Sequence, residues 1–148
     1  MGGLKAAVFG WAGTVIDHGS LAPMGVFVKT FKQFGVDISI AEARGPMGMA
    51  KRDHIKTLMA QPRIADAWAK AQGAGPDEAA IDRVYAVFVP MNEEAVADYC
   101  TMIEGAVPAV ERLRARGMKI GSTTGYTRSI MARVLPLAKA QRYEPDSL

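Results

Sequence analysis

The stretch that decides the fold is Leu4-Lys5-Ala6-Ala7-Val8-Phe9-Gly10-Trp11-Ala12-Gly13-Thr14-Val15-Ile16-Asp17. An apolar run, Leu4 to Phe9, meets the small residues Gly10, Ala12, Gly13 and Thr14 without a spacer. A short apolar run bounded by turn residues predicts a buried parallel strand, although periodicity alone leaves a buried helix open. A strand ending in a small-residue loop puts that loop at the C-terminal edge of its sheet, where open α/β folds bind ligands. The plain alternative is an ordinary strand-to-loop turn.

Working outward, Gly19 and Pro23 bracket a linker. Val26, Phe27, Thr30, Phe31 and Phe34 then recur at three and four spacing, which predicts a helix over 23–34 that Gly35 ends. Ser39 and Glu42 have the spacing of a capping box for a short helix that Gly45-Pro46 breaks. A helix is expected from Met49 to Met59, and Pro62 opens another. Ile81, Val84, Tyr85, Phe88 and Val89 stripe a long helix that Pro90 is expected to kink or divide. A helix through Val110 and Leu113 ends at Gly117. Met118 to Thr123 reads as a second strand, with a helix from about Ser129 to Lys139 after it. The order of elements is α/β, with a helical insert after the first strand.

Composition narrows the function classes. Half of the 148 residues are apolar and under a quarter are charged, as in a soluble globular chain. No apolar run approaches the roughly 20 residues of a membrane span, and no signal-peptide core is visible, so no membrane role is expected. Net charge is +3, with its local excesses interrupted by acids and apolar residues. That pattern reads as solvated helix faces and not as a nucleic-acid surface. Cys100 is the single cysteine, which fits a reducing cytoplasm.

Two constellations carry chemistry. Ser122-Thr123-Thr124-Gly125 offers hydroxyls and backbone N–H groups ahead of a helix, able to hold a phosphoryl or phosphonyl oxygen. Helix capping is the structural alternative. Lys51 and His54 are three apart on an expected helix and share a face. An imidazole beside an amine can move protons while the free amine attacks an aldehyde. A surface lysine beside a surface histidine is the other reading.

Phe9-Gly10-Trp11-Ala12-Gly13-Thr14 resembles the first motif of the haloacid dehalogenase superfamily, in the form found in its phosphonoacetaldehyde hydrolase (phosphonatase) family. Gly121 to Arg128 resembles that family's second motif, and Arg44 to His54 resembles its cap segment. The resemblance implies a partial Rossmann-like α/β core over 1–19 and 104–148, with an all-helical cap over 20–103. It implies C–P cleavage of phosphonoacetaldehyde through a Schiff base on Lys51 and an aspartyl-phosphate at position 10, with His54 also placed in the catalytic set. Thr124, Gly125, Tyr126 and Met47 fall on substrate-binding positions. The family's Mg²⁺ falls to the Ala12 carbonyl and the position-10 Asp. This sequence carries Gly10 there, and a hydrogen neither attacks phosphorus nor ligates a metal. The family's third-motif basic residue and acidic metal-binding motif would lie beyond Leu148. The resemblance therefore implies a truncated chain, inactive alone, binding a small phosphonate and pairing as a homodimer through its cap. A non-catalytic aldehyde-binding or dimerising protein of the same fold is the alternative.

Overall fold

The computed structural model describes residues 3–148, which form two compact units. One contains residues 3–21 and Val96–Leu148; the other is Ala22–Ala95.

In the first unit, β1 (Ala6–Phe9) and β2 (Lys119–Ser122) pair in parallel, Ala6 opposite Lys119 and Phe9 opposite Ser122. Alternation puts Ala7, Phe9, Ile120 and Ser122 on one face. There Ala7, Phe9 and Ile120 pack with Trp11, Val110, Ile130 and Val134. The last two of these come from α7 (Arg128–Ala140), and Val110 comes from α6 (Ala106–Ala115). On the opposite face Leu4 and Val8 are 85% and 66% exposed, so β1 is not the buried strand its apolar run suggests. It has one paired neighbour and one covered face, and burial on both faces needs more. Beyond β2 the chain starts a further parallel pairing, where Gly121 bridges Ser147 and the Ser122 N–H donates to the Ser147 carbonyl at 2.8 Å.

The second unit holds most of α1 (Leu21–Gln33), then α2 (Ile40–Arg44), α3 (Lys51–Met59), α4 (Pro62–Gln72) and α5 (Glu78–Ala95). Local signals set the helix ends. Ser39 and Glu42 form the full capping box. Gly35 and Gly73, with φ of 79° and 81°, take the left-handed conformation that ends α1 and α4. Phe27, Phe31, Ile55, Leu58, Trp68 and Phe88 lie at the centre of the unit's core.

Of the two outcomes expected at Pro90, division does not occur: α5 runs through it to Ala95, and a 3-10 turn follows at Val96–Tyr99. Phe88 and Asn92, on either side of the proline, are buried, and their packing holds the turn that the missing N–H weakens. Residues 96–103, the end of the 20–103 insert, group with the first unit. Val96, Cys100 and Met102 pack with Trp11 and Ile16, and the Ile103 N–H donates to the Val15 carbonyl at 2.8 Å.

Candidate functional site

Parallel pairing brings the loops after β1 and β2 to the same edge of the sheet. They are tied together there. The Thr123 N–H donates to the Phe9 carbonyl at 3.0 Å, and the buried Trp11 indole donates to the Ser122 hydroxyl at 2.8 Å. Gly13, with φ of 77°, makes the turn after Ala12, and Ser20 Oγ lies 2.7 Å from where a β-carbon would stand. Only glycine fits that combination.

Gly10 sits at the mouth of β1. A β-carbon there would meet Thr14 Oγ1 at 3.1 Å, a contact that a few tenths of an ångström of movement relieves. No backbone N–H donates to the Ala12 carbonyl among the described residues. That carbonyl can face a cation, but it has no carboxylate at position 10 to join it. Among the described residues no group of three or more His, Cys, Asp or Glu side chains comes together to hold a metal ion. With Gly10 beside the Ala12 carbonyl, the donors among the described residues do not fit a divalent site.

Thr124 Oγ1 accepts the Tyr126 N–H at 3.1 Å, so its own proton is free to donate to an anion. The capping role belongs to Thr127, whose hydroxyl accepts the Ile130 N–H at 3.3 Å. Gly125, between Thr124 and Tyr126, is exposed. A cavity of about 650 Å³ lies beside this loop, lined by Ser122, Thr124, Tyr126, Arg128 and Met131 among others. The Tyr126 hydroxyl is buried without a hydrogen-bond partner. Burial, then the Asp17 charge and the Cys100 thiol, push its ionisation up, so it stays a protonated donor. Asp17, 4% exposed and at φ 52°, accepts the Leu21 N–H at 2.8 Å and caps α1. Sequence reading gave no role to Asp17, which stands at no marking spacing, and took Arg128 only as the last residue of the second motif.

In the second unit, Lys51 opens α3 and is half-buried, with no ion pair or hydrogen bond among the described residues. Burial pushes its amine below the ordinary lysine range. A cation on the first residue of an uncapped helix also meets the positive end of the helix dipole. His54, one turn on, is fully buried, which excludes the surface pair. Its Nε2 lies 2.7 Å from the Ala43 carbonyl and therefore carries the hydrogen, leaving Nδ1 as a lone pair with no partner. Burial, opposed by that hydrogen bond and helped by the Lys51 charge, lowers the imidazole's basicity. Met47 is exposed in the loop before the helix; Met49, also exposed, accepts the Thr57 hydroxyl on its sulfur at 3.5 Å.

Helices packed on a small parallel sheet, with two loops meeting at its C-terminal edge, define a protein of the α/β class. The family described as haloacid dehalogenase-like hydrolase matches residues 4–146, and the chain belongs to it. It is similar to the phosphonoacetaldehyde hydrolase of Paraburkholderia phytofirmans, 59% identical over 98% of this chain and 54% of the relative. The same-named protein of Bacillus cereus is 46% identical over 98% of this chain and 55% of its own length. The crystal structure of a phosphonoacetaldehyde hydrolase-like protein from Oleispira antarctica superposes with a TM-score of 0.95 at 42% identity, over 99% of this chain and 53% of that one. The chain spans about half the length of these relatives.

Proposed function

We propose that the chain is phosphonoacetaldehyde hydrolase-like and that Lys51 captures the aldehyde of a small phosphonate as an imine. The observation that carries this is an unpaired, half-buried lysine beside a buried imidazole with one free lone pair. The free amine adds to the carbonyl carbon, water leaves, and an iminium remains; His54 Nδ1 takes or returns the proton. The iminium is the electron sink that C–P cleavage requires, since the carbon then departs as an enamine and not as a carbanion. Met47 lies in the loop ahead of Lys51 and contacts the substrate in this reading. In the first unit, the Thr124 hydroxyl and the Gly125 N–H, beside Tyr126, are the donors we assign to an anionic phosphonate oxygen.

The phosphoryl group then needs an acceptor, and Gly10 supplies none. By itself the chain therefore stops at the imine and is inactive in turnover. The absent carboxylate equally favours the second reading, an aldehyde-binding protein without catalysis. Mg²⁺ serves this chemistry in the family reading through Ala12 and a position-10 carboxylate, and no step is assigned to it here. A homodimer formed through the helical unit and a cytoplasmic setting belong to the same proposal. No helix among the described residues is long and apolar enough to cross a membrane.

The test is phosphate release from phosphonoacetaldehyde in a chain extended to the relatives' length, with Gly10 kept or changed to Asp. Turnover only in the Gly10→Asp form supports a hydrolase disabled at position 10. Absence of turnover in both, with imine formation intact, favours the aldehyde binder.

A further inference from the structure

We propose that Phe27 is a positioning residue for Lys51: its ring keeps the amine out of water and fixes the imidazole of His54 beside it. This rests on the reading of Lys51 as the imine-forming lysine. Phe27 sits on α1, outside every motif, and is fully buried. It stacks on His54 with centroids 4.2 Å apart and planes at 27°. It also stacks on Phe88, at 4.3 Å and 21°. Lys51 Nζ lies over the Phe27 ring, 5.9 Å from its centroid. One side chain thus touches both members of the Lys51–His54 pair, and Phe88 braces it from α5.

A ring beneath an ammonium has two opposed effects. Its quadrupole attracts the charge, and its bulk excludes the water that would solvate it. At 5.9 Å the attraction is near its outer limit of about 6 Å. Exclusion of water wins, in line with the downward direction that burial gives the amine. Among the described residues burial is the cause of that direction. On α5, Glu78 and Asp82 close on Arg52 and Lys56. On α2, Glu42 closes on Arg63 of α4. Asp53 of α3 and Asp66 of α4 are exposed, and the charged residues of α1, Lys29 and Lys32, are both basic. The Lys51 charge in turn acts on the His54 imidazole.

The experiment is the pH dependence of reductive trapping. The 148-residue chain is treated with phosphonoacetaldehyde and cyanoborohydride from pH 6 to 10, and labelling of Lys51 is read by mass mapping. Phe27→Leu should move the midpoint up by about one pH unit, roughly tenfold less labelling at neutral pH. Phe88→Leu removes the far partner of the same stack and should leave the midpoint in place. Equal shifts in both variants, or none in Phe27→Leu, overturn the proposal. If Phe27→Leu does not fold, Phe27→Met keeps apolar volume and carries the same expectation. One readout needs no variant: ¹⁵N spectra of the unaltered chain should keep His54 as the neutral Nε2–H form at pH values where an ordinary imidazole is already charged. Titration of His54 near 6.5 contradicts a Phe27-shielded imidazole even where Lys51 is labelled. Lys51 that labels no faster than the other lysines at any pH removes the reading of Lys51 itself, a separate result.

Discussion

His54 is the residue at which chemistry and stability meet. Its folded-state pKa lies below the ordinary 6.5, because burial penalises the charged ring. Between the two values the unfolded chain binds a proton that the folded chain refuses. Stability is therefore full above about 6.5 and falls as pH drops toward the folded value. Urea unfolding from pH 5 to 8 should show that decline, and His54→Gln, weaker at every pH, should lose it. A decline of equal slope in His54→Gln would assign the acid sensitivity to other groups. Spacing alone put Lys51 and His54 on one helix face and left a surface pair open; the resemblance of Arg44 to His54 to the family's cap segment is what singled them out. That the histidine is buried was not legible, because Phe27 of α1 and the Ala43 carbonyl of α2 cover it from 27 and 11 positions away in the chain. Phe27 read only as one member of an apolar stripe, since an aromatic core residue and one beneath an amine look alike in sequence.

At the scale of elements, the capping box of α2 gives the sharpest forecast. The Ser39 hydroxyl accepts the Glu42 N–H at 3.1 Å, and the Glu42 carboxylate accepts the Ser39 N–H at 2.8 Å. The Arg63 guanidinium, then the Ser39 N–H, hold Glu42 down at about 2. Ser39→Ala should lower stability by about 1 kcal/mol, measured by urea unfolding. The Glu42 contribution is present above its unfolded value of 4.5 and fades as pH falls toward 2. Glu42→Gln should remove that part of the acid transition, and an unchanged transition would contradict the assignment. Ends like these were readable because the groups lie three residues apart. The exposure of β1 was not, since it depends on how many strands and helices flank the strand. The unbroken course of α5 through Pro90 was hidden likewise, because packing around Phe88 and Asn92 outweighed a local rule.

At the scale of the whole molecule, the first unit offers a two-stranded sheet with one bridge to Ser147 and exposed Leu4 and Val8. Sheets this small rarely stand alone, and open edges recruit strands. The chain should self-associate at micromolar concentration in sedimentation velocity, and Val8→Lys on the open face should weaken that association. A clean monomer would contradict it. The central claim, that Lys51 captures an aldehyde, is tested most directly by borohydride trapping of the unaltered chain with phosphonoacetaldehyde, followed by mass mapping. The account predicts one dominant adduct, on Lys51, that Lys51→Arg abolishes. Labels spread evenly over the lysines, or undiminished in Lys51→Arg, would contradict it.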